Sequence, residues 1–180
     1  MFLKRAPRYI SGFTIIEVMV TVAIIAILSA ILMYQFKGFD SKLLLKNLAY
    51  EIAIVLREAQ VYGVSVQGSG ADFEKAYGVH FEVGTHYTLF RDNNNNGIFD
   101  SDEMLSTYTI GRGNSIVALC IDGSCVASSS IDVTFKRPDS DASFARNGTL
   151  LPSARSVFIR VGSATSNLQV MVNSTGQISI

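Results

Sequence analysis

The sequence predicts an α+β chain in which a long N-terminal α-helix packs on an antiparallel β-sheet. Three observations predict it. Residues Phe13–Phe36 form a nearly unbroken apolar run, FTIIEVMVTVAIIAILSAILMYQF. From Lys37 to Tyr62 apolar residues return every three or four positions, the period of one helical face. From Gly63 onward the period falls toward two, and Gly, Asn, Asp and Ser clusters punctuate it, as strands and turns require. A helical stretch followed by a succession of strands is the α+β pattern.

The 180 residues suit one globular domain. Their 48% hydrophobic content is concentrated in the N-terminal run, and the remainder has ordinary soluble composition. Formal charge is zero; without the cations Lys4, Arg5 and Arg8 it becomes −3. A mildly acidic body supplies no general attraction for nucleic acid.

Residues 1–12 are short, basic and acid-free, and read as a leader. Residues 13–36, about 24 in number, would rise roughly 36 Å as a helix and span a bilayer core of about 30 Å. No A-x-A-like cleavage site follows the run, which separates it from a secretory signal peptide. The basic flank in front predicts a cytoplasmic N-terminus and an outside body. Residues 37–62 continue the helix amphipathically. Leu44, Leu45, Leu48, Ile52, Leu56 and Ala59 mark one face, and Lys42, Lys46, Glu51, Arg57 and Glu58 much of the other. The sheet is expected on the stripe of Leu44, Leu48, Ile52 and Leu56. Residues 63–180 form the β-rich domain, with strands near Tyr77–Val83, His86–Arg91, Met104–Ile110, Ser115–Ile121, Ile131–Lys136, Ser156–Val161, Leu168–Asn173 and Gln177–Ile180. Val66–Asp72 and Ala127–Ser130 read as linkers.

Glu17 is the sole charge between Phe13 and Phe36. An ionised carboxylate in hydrocarbon costs at least ~2.5 kcal/mol, and a plain anchor has no use for one. The segment Gly12-Phe13-Thr14-Ile15-Ile16-Glu17 resembles the prepilin peptidase site of type IV pilins and type II secretion pseudopilins. The resemblance implies a pilin fold, cleavage between Gly12 and Phe13, and methylation of the Phe13 amine. It also implies that Glu17 pairs with the Phe13 amine of a neighbouring subunit during assembly. Two opposite buried charges offset each other's desolvation better than either alone. Tyr34 stands about where many Gram-negative major pilins carry a kinking proline. Tyr50–Gln60 and Val157–Ile180 resemble the helix end and closing strands of GspH/FimT-type pseudopilins. The implied partners are copies of this chain or other pilins in a helical filament, prepilin peptidase, an inner-membrane assembly platform and the membrane itself. The implied path runs from a single-pass membrane protein to an extracellular or periplasmic filament. A filament subunit, a type II secretion pseudopilin and a DNA- or surface-binding minor pilin all share these features.

Asp92–Glu103 reads DNNNNGIFDSDE and matches the calcium-loop pattern D-x-[DN]-x-[DN]-G-x5-E at every fixed position. Asp92, Asn94, Asn96, the Ile98 carbonyl, Asp100 and a bidentate Glu103 would supply hard oxygens to Ca²⁺, and Gly97 the sharp turn. The flanks alternate like strands, so the loop would join a β-hairpin rather than two helices. A solvated Asn-Gly turn is the competing reading.

Cys120 and Cys125 flank an Asp-Gly turn. Opposed hairpin positions lie near disulfide distance, and an outside location permits oxidation; two free buried thiols are the alternative. His80 and His86, the two histidines, read as exposed strand residues. No G-x-S-x-G, H-E-x-x-H or glycine-rich phosphate loop occurs, so no enzyme activity is inferred. Lys136, Arg137, Arg146, Arg155 and Arg160 are interleaved with Asp132, Asp139 and Asp141. That reads as a mixed solvated surface and argues against nucleic acid as a partner.

Overall fold

A computed structural model describes residues 12–65, 75–126, 130–162 and 166–180, and the side chains of these except residues 35–41 and 126. The expected leader, apart from Gly12, lies outside the described residues, as do 66–72 and 127–129 of the expected linkers. One helix, α1, spans Ile15–Val64. The chain divides into two units, Met1–Asp40 and Ser41–Ile180.

In the first unit α1 starts at Ile15, one residue after Thr14. Its Ile15–Tyr34 stretch is long and apolar enough to cross a membrane, and every side chain in it is exposed.

In the second unit α1 buries Leu45, Leu48, Ala49, Ile52, Ala53, Val55, Leu56 and Ala59. The spacing is the helical one the sequence predicts, with one shift of phase. Leu44 is only half-buried, and Leu45 takes the inward position. In the run Leu43-Leu44-Leu45 hydrophobicity alone does not fix the phase; the alanines at 49, 53 and 59 do, by allowing close approach. Strands β1 (Ala76–Glu82), β2 (His86–Asp92), β3 (Met104–Thr109), β4 (Ser115–Ile121), β5 (Ser124–Val126), β6 (Ser130–Phe135), β7 (Ala142–Arg146), β8 (Thr149–Leu150), β9 (Ser156–Gly162), β10 (Asn167–Asn173) and β11 (Ile178–Ser179) follow.

The strands make two antiparallel sheets, of order β3-β2-β1-β6-β7-β8 and β11-β10-β9-β4-β5, where the sequence reading had one. β4 leaves the first sheet to pair with β9, Leu119 opposite Ile159. That choice is made by non-local packing, and strand periodicity carries no trace of it. A lone bridge between Gly84 and Ile116 ties the two sheets. Phe81, Tyr87, Val133 and Phe135 of one sheet and Leu119, Ile159, Val170 and Val172 of the other share one core with the α1 stripe.

The last turn of α1 touches β6. A Cβ on Gly63 would stand 2.3 Å from the Phe135 carbonyl oxygen, so glycine alone lets the helix end there. The Gln60 side-chain amide donates to the Gly176 carbonyl at 2.9 Å and to the Ser140 carbonyl at 3.2 Å.

Candidate functional site

Two regions carry chemistry, one in each unit. In the first, Gly12, Phe13 and Thr14 precede the helix without regular structure. Phe13 is 79% exposed, and nothing lies within 4 Å of a Cβ placed on Gly12. The Gly12–Phe13 bond is therefore exposed and not covered by any other described residue. Thr14 caps the helix: its carbonyl accepts the Glu17 N–H at 3.1 Å, and its hydroxyl lies 3.4 Å from the same nitrogen. Thr-x-x-Glu is the capping-box spacing, and an acid in the first turn suits the helix dipole. The carboxylate of Glu17 is exposed, as are the apolar residues that follow it.

In the second unit the Asp/Asn loop joins β2 to β3. Asp92 ends β2 and Glu103 stands just before β3; they are 1% and 3% exposed. Their oxygens gather the loop's N–H groups. The Asp92 carboxylate accepts from Asn96 at 3.1 Å and Gly97 at 2.8 Å. Glu103 accepts from Asn93 at 2.7 Å, Asn94 at 3.3 Å and Asp100 at 3.3 Å. Asn94 Oδ1 takes the Asn96 N–H at 3.0 Å, and Asn96 Oδ1 the Ile98 N–H at 2.7 Å. The side-chain amides of Asn94 and Asn96 both donate to Asp100 Oδ2, at 2.8 and 3.2 Å. Asn95 and Gly97 adopt φ of 59° and 72°; this left-handed backbone folds the loop on itself.

The six residues expected to bind metal thus belong to one compact, hydrogen-bonded loop. Among the described residues no three Asp, Glu, His or Cys side chains converge well enough to hold an ion by themselves. The donor set is complete only with the Asn94 and Asn96 amide oxygens and the Ile98 carbonyl, a hard-oxygen mixture of the kind calcium accepts. No lysine or arginine forms an ion pair with Asp92, Asp100 or Glu103 among the described residues. Two cations instead reach Asn93 of the loop: Arg91 Nε donates to its Oδ1, and the Lys75 ammonium to its carbonyl.

The loop also doubles back over the outer face of the six-stranded sheet, which nothing in the sequence reading anticipated. Phe99 packs on His80 of β1, ring centroids 4.5 Å apart, and on Phe90 of β2 at 5.4 Å. Its N–H reaches Asp132 Oδ2 of β6 at 3.3 Å. A Cβ on Gly97 would lie 3.0 Å from Leu150 of β8. Phe90 and Ala145 are fully buried yet lie outside the main core, so the loop covers a second, smaller one. The overlooked signal was Ile98-Phe99, two apolar residues inside an otherwise polar loop.

His86 is exposed, but His80 is not. Burial acts to lower the His80 pKa, yet hydrogen bonds and charge from Asp132 and Glu82 outweigh it and raise it. Cys120 and Cys125 are opposed residues of β4 and β5 and are joined as a disulfide. The basic residues are spread over both sheets. Arg146 lies in β7 and Arg160 in β9, on different sheets, and Arg137 donates to the Ser65 carbonyl.

Residues 7–33 match the family described as the prokaryotic N-terminal methylation motif. No curated protein and no solved structure matches the chain. The match and the apolar helix behind it fit a membrane-anchored precursor of the prepilin type.

Proposed function

We propose that the chain is a structural subunit of a type IV pilus or pilus-like filament. In this reading prepilin peptidase cuts the Gly12–Phe13 bond and methylates Phe13, and copies polymerise through the N-terminal helix. The observation that carries the reading is the methylation motif over residues 7–33, which brackets an open Gly12–Phe13 bond, a capped helix start and a lone intramembrane acid. Before assembly Ile15–Tyr34 sits in the bilayer, with the leader cytoplasmic. In the filament the same side chains bury one another, so their apolar surface stays out of water throughout. Glu17 sets register by meeting the Phe13 amine of a neighbour, each charge offsetting the other's desolvation. The work is assembly rather than catalysis.

Intact-mass and N-terminal analysis of protein from sheared surface filaments tests this. A chain beginning at N-methylated Phe13 is expected. An uncut chain confined to membranes would refute the reading. The resemblance of Tyr50–Gln60 and Val157–Ile180 to GspH/FimT-type pseudopilins supports a second reading, a minor pseudopilin of a type II secretion system. Abundance in the sheared fraction separates the two.

We further propose that the Asp/Asn loop binds Ca²⁺, held by Asp92, Asn94, Asn96, the Ile98 carbonyl, Asp100 and Glu103. The ion would supply positive charge among carboxylates that form no ion pair among the described residues. Affinity is expected in the extracellular range, about 10⁻⁴–10⁻³ M. Calorimetry and melting of the full chain in detergent check it; no heat and no Tm shift at millimolar calcium would end the idea.

A further inference from the structure

The middle of the Asp/Asn loop is anchored by residues outside the donor set. Asp132 on β6 is 2% exposed. One of its carboxylate oxygens is hydrogen-bonded to His80 Nδ1 on β1, and the other accepts the Phe99 N–H at 3.3 Å. The second nitrogen of His80 faces Glu82 Oε1 at 3.2 Å, and its ring lies tilted by 32° on the Phe99 ring. The pairs that His80 makes with Asp132 and Glu82 are the only ion pairs among the described residues. A buried carboxylate is tolerated where a partner stands beside it, and here that partner also carries the loop's one aromatic side chain.

β2 and β3 hold the loop's ends, so Asp92 and Glu103 are fixed by the sheet. Ile98 and Asp100 are not; they flank Phe99, and Phe99 is what the His80–Asp132 pair holds. We propose that Asp132 and His80 are positioning residues: through Phe99 they dock the loop on the outer sheet face and preset Ile98 and Asp100 relative to Asp92 and Glu103. The inference deepens the calcium reading and rests on it for the metal, but the docking itself needs no ion. Partners of this kind behind a metal site ordinarily govern affinity by fixing ligand geometry.

The groups facing His80 are Asp132 from β6, Glu82 from its own strand, Phe99 from the loop, and Thr88 at the paired position on β2. Two of the four are carboxylates and none is a cation, so a protonated imidazole is the form they hold. Its folded pKa is raised above the ordinary 6.5. Docking is therefore complete below that value and weakens as pH rises through the folded pKa.

The test uses the full chain in detergent micelles with chelator present. The rate of chymotryptic cleavage after Phe99 is measured from pH 6 to 9 for the unsubstituted chain, Asp132→Asn, His80→Gln and, as a control at an exposed position that does not touch His80, Asp139→Asn. Circular dichroism confirms that each remains folded. Asp132→Asn is expected to speed cleavage at least ~10-fold. His80→Gln should also speed it, and should remove the rise with pH that the unsubstituted chain shows beyond the protease's own profile. Equal cleavage of all four proteins at every pH would overturn the proposal. Calcium titration of the same proteins should then show Asp132→Asn and His80→Gln weakened ~10–100-fold. Equal calcium affinity in all of them would overturn the positioning role. If the unsubstituted chain binds no calcium while Asp132→Asn still frees the loop, the calcium reading fails and the docking stands.

Discussion

At the scale of single residues, three positions each answer to one physical constraint. Gly63 is there because β6 passes close beneath it: Gly63→Ala would drive a methyl group into a backbone carbonyl 2.3 Å away. Overpacking of this kind costs about 1–3 kcal/mol, and a lowered melting temperature with an unchanged N-terminal mass is the expected outcome. In the proposed filament subunit Glu17 answers to the membrane. Glu17→Ala leaves the Gly12–Phe13 bond and the Thr14 cap in place, so processing should persist while the yield of sheared filaments falls; normal incorporation would refute the assembly role. Asp122 answers to the β4–β5 turn. Its carboxylate accepts the Ser156 N–H at 2.8 Å and the Arg155 N–H at 3.0 Å. Those bonds, Ser156 first, hold its pKa below the ordinary 3.8 against an opposing effect of desolvation. The folded pKa is the lower one, so its contribution is intact above pH 3.8 and fades as pH falls through the folded value. Melting from pH 6 down to pH 2 should show a loss there that Asp122→Asn lacks.

Elements differ in how plainly the sequence announces them, and the reasons are physical. α1 is announced by period, because one face must be apolar over many turns; only its phase at Leu44 and Leu45 had to wait for the packing. Truncating the middle of the stripe tests its weight. Leu56 is fully buried, and Leu56→Ala should cost about 2–5 kcal/mol in denaturant unfolding. The strands written in Val, Ile, Phe and Tyr were legible. β7, with Ala, Ser and Arg, was not, although Asn147 and Gly148 sit at φ of 48° and 73° between it and β8, the Asn-Gly signal of a tight hairpin. The same backbone at Asp122 and Gly123 sets Cys120 opposite Cys125. That bridge closes a short loop, worth about 2 kcal/mol on the chain-entropy argument. Titration of the denatured, unreduced chain should find no free thiol, and Cys120→Ser with Cys125→Ser should melt lower.

For the whole molecule, the α+β class followed from the order of periods alone, whereas the division into two sheets came from contacts between distant residues such as Ser115 and Gly162. The residues of the proposed calcium loop were visible as a spacing, because oxygen donors must alternate with turn residues. Its seat on the sheet was not, because Asp132 enters from another strand. Length also separates the elements in time. Gln60 reaches across 116 residues of chain to Gly176, and Ile178 belongs to the same core as Leu45 and Ile52. At the usual ribosomal rate of 5–20 residues per second, roughly 6–23 s separate the synthesis of these two ends. For that interval the α1 stripe has been made but the strands that complete its cover have not. A newborn chain must therefore keep an oily helix face unspent until its last strands appear, and whatever shelters that face sets the clock for folding.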